Sequence, residues 1–298
     1  MPLRPLCVFT LACLAATASG AAAASASRDQ ATTRAEWNAP QAPFRIYGNT
    51  WYVGPHGLSS ILVNTGRGLA LFDGDLPESA TQIEAHVREL GFRVRDIKWI
   101  LNSHAHQDHA GGIARLQRDS GAQVLASAEG AHQMALGGAD PADPQYGFQL
   151  TYAPVPRVRV VRDGETLQLG NVAVTAHYTP GHTPGSTSWT WTSCAGSRCL
   201  HMVYADSLTA LAAPGYRFSD HPDYLAAFRR SIASVAALPC DILMTPHPDA
   251  SGFWDRVARR QSPDDVSPLI DAGACRAYAA AAARTLDAQL ARERAAAK

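Results

Sequence analysis

The chain has 298 residues, 46% hydrophobic and 17% charged, with 26 Lys and Arg balanced by 26 Asp and Glu for a formal net charge of zero. That is enough apolar sequence for a substantial core in one large domain or two small ones, and it excludes wholesale disorder. No Lys/Arg-rich run offers an electrostatic footprint for nucleic acid or an anionic membrane, so neither is expected as a partner.

The N-terminus is biased differently. Met1 to Pro5 carries Arg4, an apolar run follows to Ala16, and a small-residue stretch ends in Ala24-Ser25-Ala26. These match the three regions of a secretory signal, and the run is too short to span a membrane as a stable helix. Residues 1–26 are therefore expected to be removed, leaving 27–298 as one exported domain in the periplasm without stable membrane association. Lipidation at Cys13 would leave a very short apolar run before cleavage, which argues against it.

Cys7 and Cys13 leave with the signal, and Cys194, Cys199, Cys240 and Cys275 remain. Four cysteines in an oxidising compartment point to two disulfides. Cys194 and Cys199 flank Ala195-Gly196-Ser197-Arg198 between strand-like stretches, so their pairing staples a hairpin tip, and Cys240 is left for Cys275. No pair has the CxxC spacing of a zinc ribbon.

Strand-like stretches at 44–47, 51–53, 61–63 and 69–72 are separated by glycine-containing turn signals, an antiparallel meander. Pro77 opens a helical stretch with Ile83, Val87 and Leu90 at helical spacing, Gly91 ends it, and 97–101 is a buried strand. A short helical stretch after Gly111-Gly112 and a strand at 124–126 continue a βαβ rhythm. Residues 137–157 form a long irregular loop with Tyr146, Phe148 and Tyr152 as exposed-looking aromatics. Strands at 158–161, 167–169, 172–177, 187–191 and 201–204, a helix at 222–238 and a strand at 242–244 repeat the theme. Beyond Cys275, Tyr278, Ala282, Leu286 and Leu290 recur one turn apart, with an Ala/Arg-rich remainder expected to fray. Two β-then-α halves imply an α/β four-layer αβ/βα sandwich, two mixed sheets flanked by helices, with loops of both halves meeting at one edge.

Every candidate ligand falls on such loops. In His104-Ala105-His106-Gln107-Asp108-His109, two imidazoles two positions apart in an extended segment point the same way, while Asp108 and His109 face a second point nearby. Gly111-Gly112 permits close approach of the next helix, and Asp108 as a helix cap is the structural alternative. His182 and His247 each lie just beyond a strand end, in Gly181-His182-Thr183-Pro184-Gly185-Ser186 and Thr245-Pro246-His247-Pro248. Five imidazoles and one carboxylate suit zinc and leave open positions at two ions. His56, His86, His132, His177, His201 and His221 have no such context.

These motifs, with Tyr204-Ala205-Asp206-Ser207-Leu208, resemble the metallo-β-lactamase superfamily, class B subclass 3, over essentially the whole mature chain. The resemblance implies the metallo-β-lactamase fold and two Zn2+ ions, the first on His104, His106 and His182 and the second on Asp108, His109 and His247. It also implies hydrolysis of the β-lactam amide of penicillins, cephalosporins and carbapenems by a hydroxide shared by the ions, conferring antibiotic resistance. Asp108 would orient the hydroxide, and Tyr216 matches an aromatic position that can approach the oxyanion, with packing at a loop tip as the alternative. Ser207 and Thr209 are candidate donors to the substrate carboxylate, with turn capping as the alternative, and Tyr146, Phe148 and Leu150 are a candidate apolar wall, with anchoring of their loop to the core as the alternative. Many hydrolases of the superfamily place a bridging Asp after this strand and other β-lactamase subclasses a Cys ligand, whereas this chain has Ser207. Asp206 as a bridge, with a lactonase-like or glyoxalase-like site, stays open on sequence alone.

Overall fold

The computed structural model describes residues 32–296; the segment read as a secretory signal lies outside them. Residues 32–37 are helical and belong to a unit of their own, and the unit that begins at Asn38 holds both sheets.

The first sheet runs β1 (Phe44–Tyr47), β2 (Thr50–Tyr52), β3 (Ile61–Asn64), β4 (Leu69–Phe72), β5 (Ile97–Leu101), β6 (Gln123–Ala126) and β7 (Val158–Val160) in that spatial order. It is antiparallel through β4 and parallel from there on. The second contains β8 (Thr166–Leu169), β9 (Val172–Tyr178), β10 (Thr187–Ala195), β11 (Arg198–Tyr204) and β12 (Ile242–Met244), in the order β12-β11-β10-β9-β8 with only β11 and β12 parallel. The helices are α1 (Ser79–Glu89), α2 (Gln107–Ala110), α3 (Ile113–Ser120), α4 (Ala128–Ala135), α5 (Pro222–Ala237), α6 (Phe253–Ala258) and α7 (Ala274–Ala296).

The layering follows from strands that are apolar on both faces. Along β4, Ala70 and Phe72 enter the core between the sheets, while Leu69 and Leu71 face the outer core with Ile83 and Val87 of α1 and Leu116 of α3. Along β12, Ile242 and Met244 point inward, while Leu243 packs with Phe228 and Val235 of α5 and Leu286 of α7. The result is the helix–sheet–sheet–helix sandwich that the sequence implies. The central core is aromatic: Phe72 stacks on Trp191 at 4.6 Å, and Trp189 is fully buried with its indole N–H donating to the Asn102 carbonyl at 3.1 Å. That bond ties the second sheet to the segment leaving β5.

Both expected disulfides are present. Cys194 and Cys199 are cross-strand partners at the β10–β11 tip, and Cys240–Cys275 joins the segment before β12 to the first turn of α7.

Three features differ from the sequence reading. The C-terminal helix does not fray before Ala296, because buried Glu293 accepts from the Phe218 and Ser219 amides at 3.1 and 2.9 Å and pins the last turns. Tyr152 is buried, its hydroxyl donating to the Ala105 carbonyl at 2.8 Å. Helices α2, α4 and α6 went unread: α2 is a single turn that puts Asp108 and His109 on a helix where the sequence suggests a loop, and α4 is started by Ser127, whose hydroxyl accepts from the Gly130 amide.

Candidate metal centre

Beyond β5 the chain turns sharply into the histidine-rich segment, and Asp73 shapes that turn. Asp73, at φ 59°, receives the Ser103 amide at 2.7 Å and the Asn102 side-chain amide at 3.0 Å on Oδ1, and the Ser103 hydroxyl at 2.6 Å on Oδ2. Asn102 also donates to the His104 carbonyl at 2.7 Å. Gly112 lets the α2–α3 junction come against the loop that follows β4, since a Cβ there would lie 2.2 Å from the Gly74 carbonyl oxygen.

His104, His106 and His182 converge, their rings 4.8 to 5.0 Å apart and steeply inclined to one another. Each has one nitrogen committed behind it. His104 Nδ1 donates to Asp206 Oδ1 at 2.7 Å, His106 Nε2 to Asp143 Oδ2 at 3.0 Å, and His182 Nδ1 to the Thr209 carbonyl at 3.0 Å, with the Thr209 hydroxyl 2.8 Å away. A carboxylate or carbonyl only accepts, so these partners put the protons on the outer nitrogens and the lone pairs on His104 Nε2, His106 Nδ1 and His182 Nε2. His104 Nε2 is buried with no hydrogen-bond partner among the described residues. Burial, reinforced by the neighbouring histidines, holds His104 well below the ordinary imidazole value and pushes His182 down to about 3. Neutral imidazoles are the form that binds a metal. Gly181 brings this loop against α5, for a Cβ there would fall 2.1 Å from the Phe228 ring.

The second group is tighter. Asp108 Oδ2 lies 3.2 Å from both His109 Nε2 and His247 Nε2, and those two nitrogens are 3.3 Å apart. Donor atoms held tetrahedrally about 2.0 Å from a zinc ion are separated by about 3.3 Å, so this near-equilateral triangle fits one ion. Burial by itself raises the Asp108 carboxyl, yet His109 and His247 outweigh it and hold the group well below the carboxylate range. His104, Asp108 and His109 also offer ligand atoms within 4.8 Å of one another, so the two groups adjoin. Asp108 does not cap α2: its Oδ1 has no partner among the described residues.

Asp206 stands behind His104, with its carboxyl raised by burial. Ser207 is buried beside it. Tyr146, Phe148 and Leu150 are about half exposed along the 137–157 loop. That loop is tied to the metal-side segment by Tyr152 and by the Gln107 side-chain amide, which donates to the Thr151 carbonyl at 2.6 Å. Tyr216 stacks on His221 at 4.6 Å and meets Phe218 edge-on. Sequence reasoning did not find Asp143 or Gln133 near the histidines, and for Thr209 it offered substrate donation or turn capping but not the contact with His182. A lone Asp in a Pro-rich loop carries no sequence signal for such a contact.

Residues 53–194 match the family profile described as the metallo-beta-lactamase superfamily. Among solved structures, the Rm3 metallo-beta-lactamase superposes with a TM-score of 0.85 at 51% identity, over 88% of this chain and 98% of that one. MEM-A1, a subclass B3 metallo-beta-lactamase from a soil metagenome library, gives 0.85 at 50% identity over 88% and 100%. A hydroxyacylglutathione hydrolase of Acidiphilium cryptum (strain JF-5) is 30% identical over 74% of this chain and 77% of its own length. The chain spans 65% of the length of a Burkholderia pseudomallei (strain 1710b) protein named "Probable metallo-hydrolase", also 30% identical. With half its residues shared with solved enzymes across the whole sandwich, the chain belongs to the metallo-β-lactamase superfamily, alongside its subclass B3 members.

Proposed function

We propose that this hydrolase opens the β-lactam ring of penicillins, cephalosporins and carbapenems, and thereby confers resistance to them. The observation that carries the reading is the triangle of Asp108, His109 and His247, which would hold a second ion without a cysteine and without Asp206. The metallo-β-lactamases that match at 50 to 51% identity support the substrate class.

His104, His106 and His182 would hold one zinc ion and Asp108, His109 and His247 another. Bound there, the pair supplies Lewis acidity and a nucleophile drawn from water near neutral pH. Asp108, through Oδ1, would accept a hydrogen bond from the attacking water and orient it toward the carbonyl. Ser207 and Thr209 donate to the substrate carboxylate, and Tyr146, Phe148 and Leu150 cover its apolar side chains. Tyr216, whose hydroxyl is pushed up by burial and by the charge of Asp143, would approach the carbonyl oxygen.

We place the enzyme in the periplasm after loss of residues 1–26, since disulfides such as its two persist in oxidising compartments. Among the described residues no helix is long and apolar enough to cross a membrane.

The hydroxyacylglutathione hydrolase similarity favours a second reading, thioester hydrolysis. The position of Asp206 weighs against it: a bridging carboxylate belongs between the two groups, and this one faces the far nitrogen of His104. Turnover of a penicillin, a cephalosporin, a carbapenem, a homoserine lactone and a glutathione thioester, measured on one zinc-loaded preparation, separates the readings. Ring opening of the β-lactams is expected to dominate, and thioester turnover without it overturns the proposal.

A further inference from the structure

Asp143 belongs to no helix or strand, yet it is buried and three donors meet its carboxylate. His106 Nε2 and the Gln133 side-chain amide reach Oδ2 at 3.0 and 2.8 Å, and the Gln145 amide reaches Oδ1 at 2.7 Å. Both oxygens therefore accept. An asparagine here would turn its NH2 toward at least one donor, so the pattern requires a carboxylate.

The same residue is an anchor of its loop. Its carbonyl accepts from the Tyr146 amide at 3.0 Å, and the Pro144 carbonyl accepts from the Ala213 amide at 2.8 Å, joining the loop to the one that carries Thr209, which holds His182. Beyond it Tyr146, Phe148 and Leu150 face solvent, so apolar burial does little to fix that stretch. Polar tethers hold it instead: Asp143 on His106, the Pro144 carbonyl on Ala213, buried Gln145 beside His182 and accepting from the Gln149 side-chain amide, the Thr151 carbonyl on Gln107, and Tyr152 on Ala105.

We propose that Asp143 is a positioning residue that fixes the His106 tautomer with Nδ1 toward the metal, and that it thereby couples filling of the first metal site to the order of the 144–150 loop. The inference rests on the reading of His106 as a ligand. With the proton held on Nε2, the Nδ1 lone pair is presented without rearrangement, as in the carboxylate–histidine–metal arrangements whose loss lowers metal affinity about 10- to 100-fold. Coupling is reciprocal: if metal steadies His106 and through it the loop, an ordered loop strengthens metal binding by the same factor.

Three measurements test this. Zinc affinities of the wild type, Asp143→Asn and His106→Ala are taken by competition with a chromophoric chelator. Amide exchange over 144–150 is followed in metal-free and zinc-loaded protein. Nitrogen chemical shifts of His106 are read in the metal-free wild type, which needs no variant to fold. The expected results are a tenfold or greater loss of first-site affinity in Asp143→Asn with the second site retained, loop protection that rises with zinc in the wild type but not in the variant, and an Nε2–H tautomer at His106. Wild-type affinity in Asp143→Asn, loop exchange indifferent to zinc, or an Nδ1–H tautomer overturns the proposal. Retention of both zincs in His106→Ala overturns the ligand reading beneath it instead.

Discussion

Asp206 places its Oδ1 2.7 Å from Nδ1 of His104, with both side chains wholly buried. On the proposed reading the carboxylate supports a candidate ligand from behind, with the His104 Nε2 lone pair toward the first group, and Asp108, His109 and His247 would make up the second.

Asp206→Asn keeps an oxygen that accepts from Nδ1, so the variant is expected to bind two zincs at saturating metal, with first-site affinity lowered about tenfold or more. His247→Ala is expected to lose the second zinc and keep the first. Metal counts on the purified variants check this, and the reverse pattern would make Asp206 the bridging ligand.

The disulfides should differ in their effect on stability. Cys240 and Cys275 are separated by 35 positions, Cys194 and Cys199 by 5. In the chain-entropy model these closures stabilise by about 4 and about 2 kcal/mol. Chemical unfolding should show Cys240→Ser costing more than Cys199→Ser, with zinc content unchanged in both; an equal or inverted cost contradicts the assignment of stabilisation to loop closure.

Much of this was legible because it is local. Apolar strands such as 97–101 and 242–244 end where histidines begin, so strand pattern and ligand spacing bring the six candidate ligands to one edge, although Asp108 and His109 stand in the one-turn helix α2 rather than on a loop. The residues behind them were not legible. Asp206 lies 102 positions from His104, Asp143 37 from His106 and Thr209 27 from His182, and no periodicity links residues that meet only through tertiary folding. Tyr152 shares its loop composition with Tyr146, and only the backbone path buries one and exposes the other.

Asp73 gives a pH signature. Burial pushes its carboxyl from 3.8 up to about 7, with Ser103 and Tyr204 hydrogen bonds limiting the rise. The folded state therefore keeps this proton where the unfolded chain has released it. The stabilisation is full below pH 3.8 and is lost as pH rises through about 7. Asp73→Asn lacks that titration and leaves a buried donor unmatched, at a cost of about 1–3 kcal/mol. The stability gap between wild type and variant, measured on metal-free protein by urea unfolding, should narrow from about pH 4 to about pH 7. A widening gap contradicts it.

On the proposed function, two zinc ions on these six side chains open β-lactams. Metal-free protein titrated with zinc while ring opening of a carbapenem is recorded tests it most directly. The account predicts no turnover without metal, recovery on addition, and two zincs per chain at saturation. Hydrolysis that survives complete removal of metal, or a saturated two-zinc protein that leaves the ring closed, would contradict it.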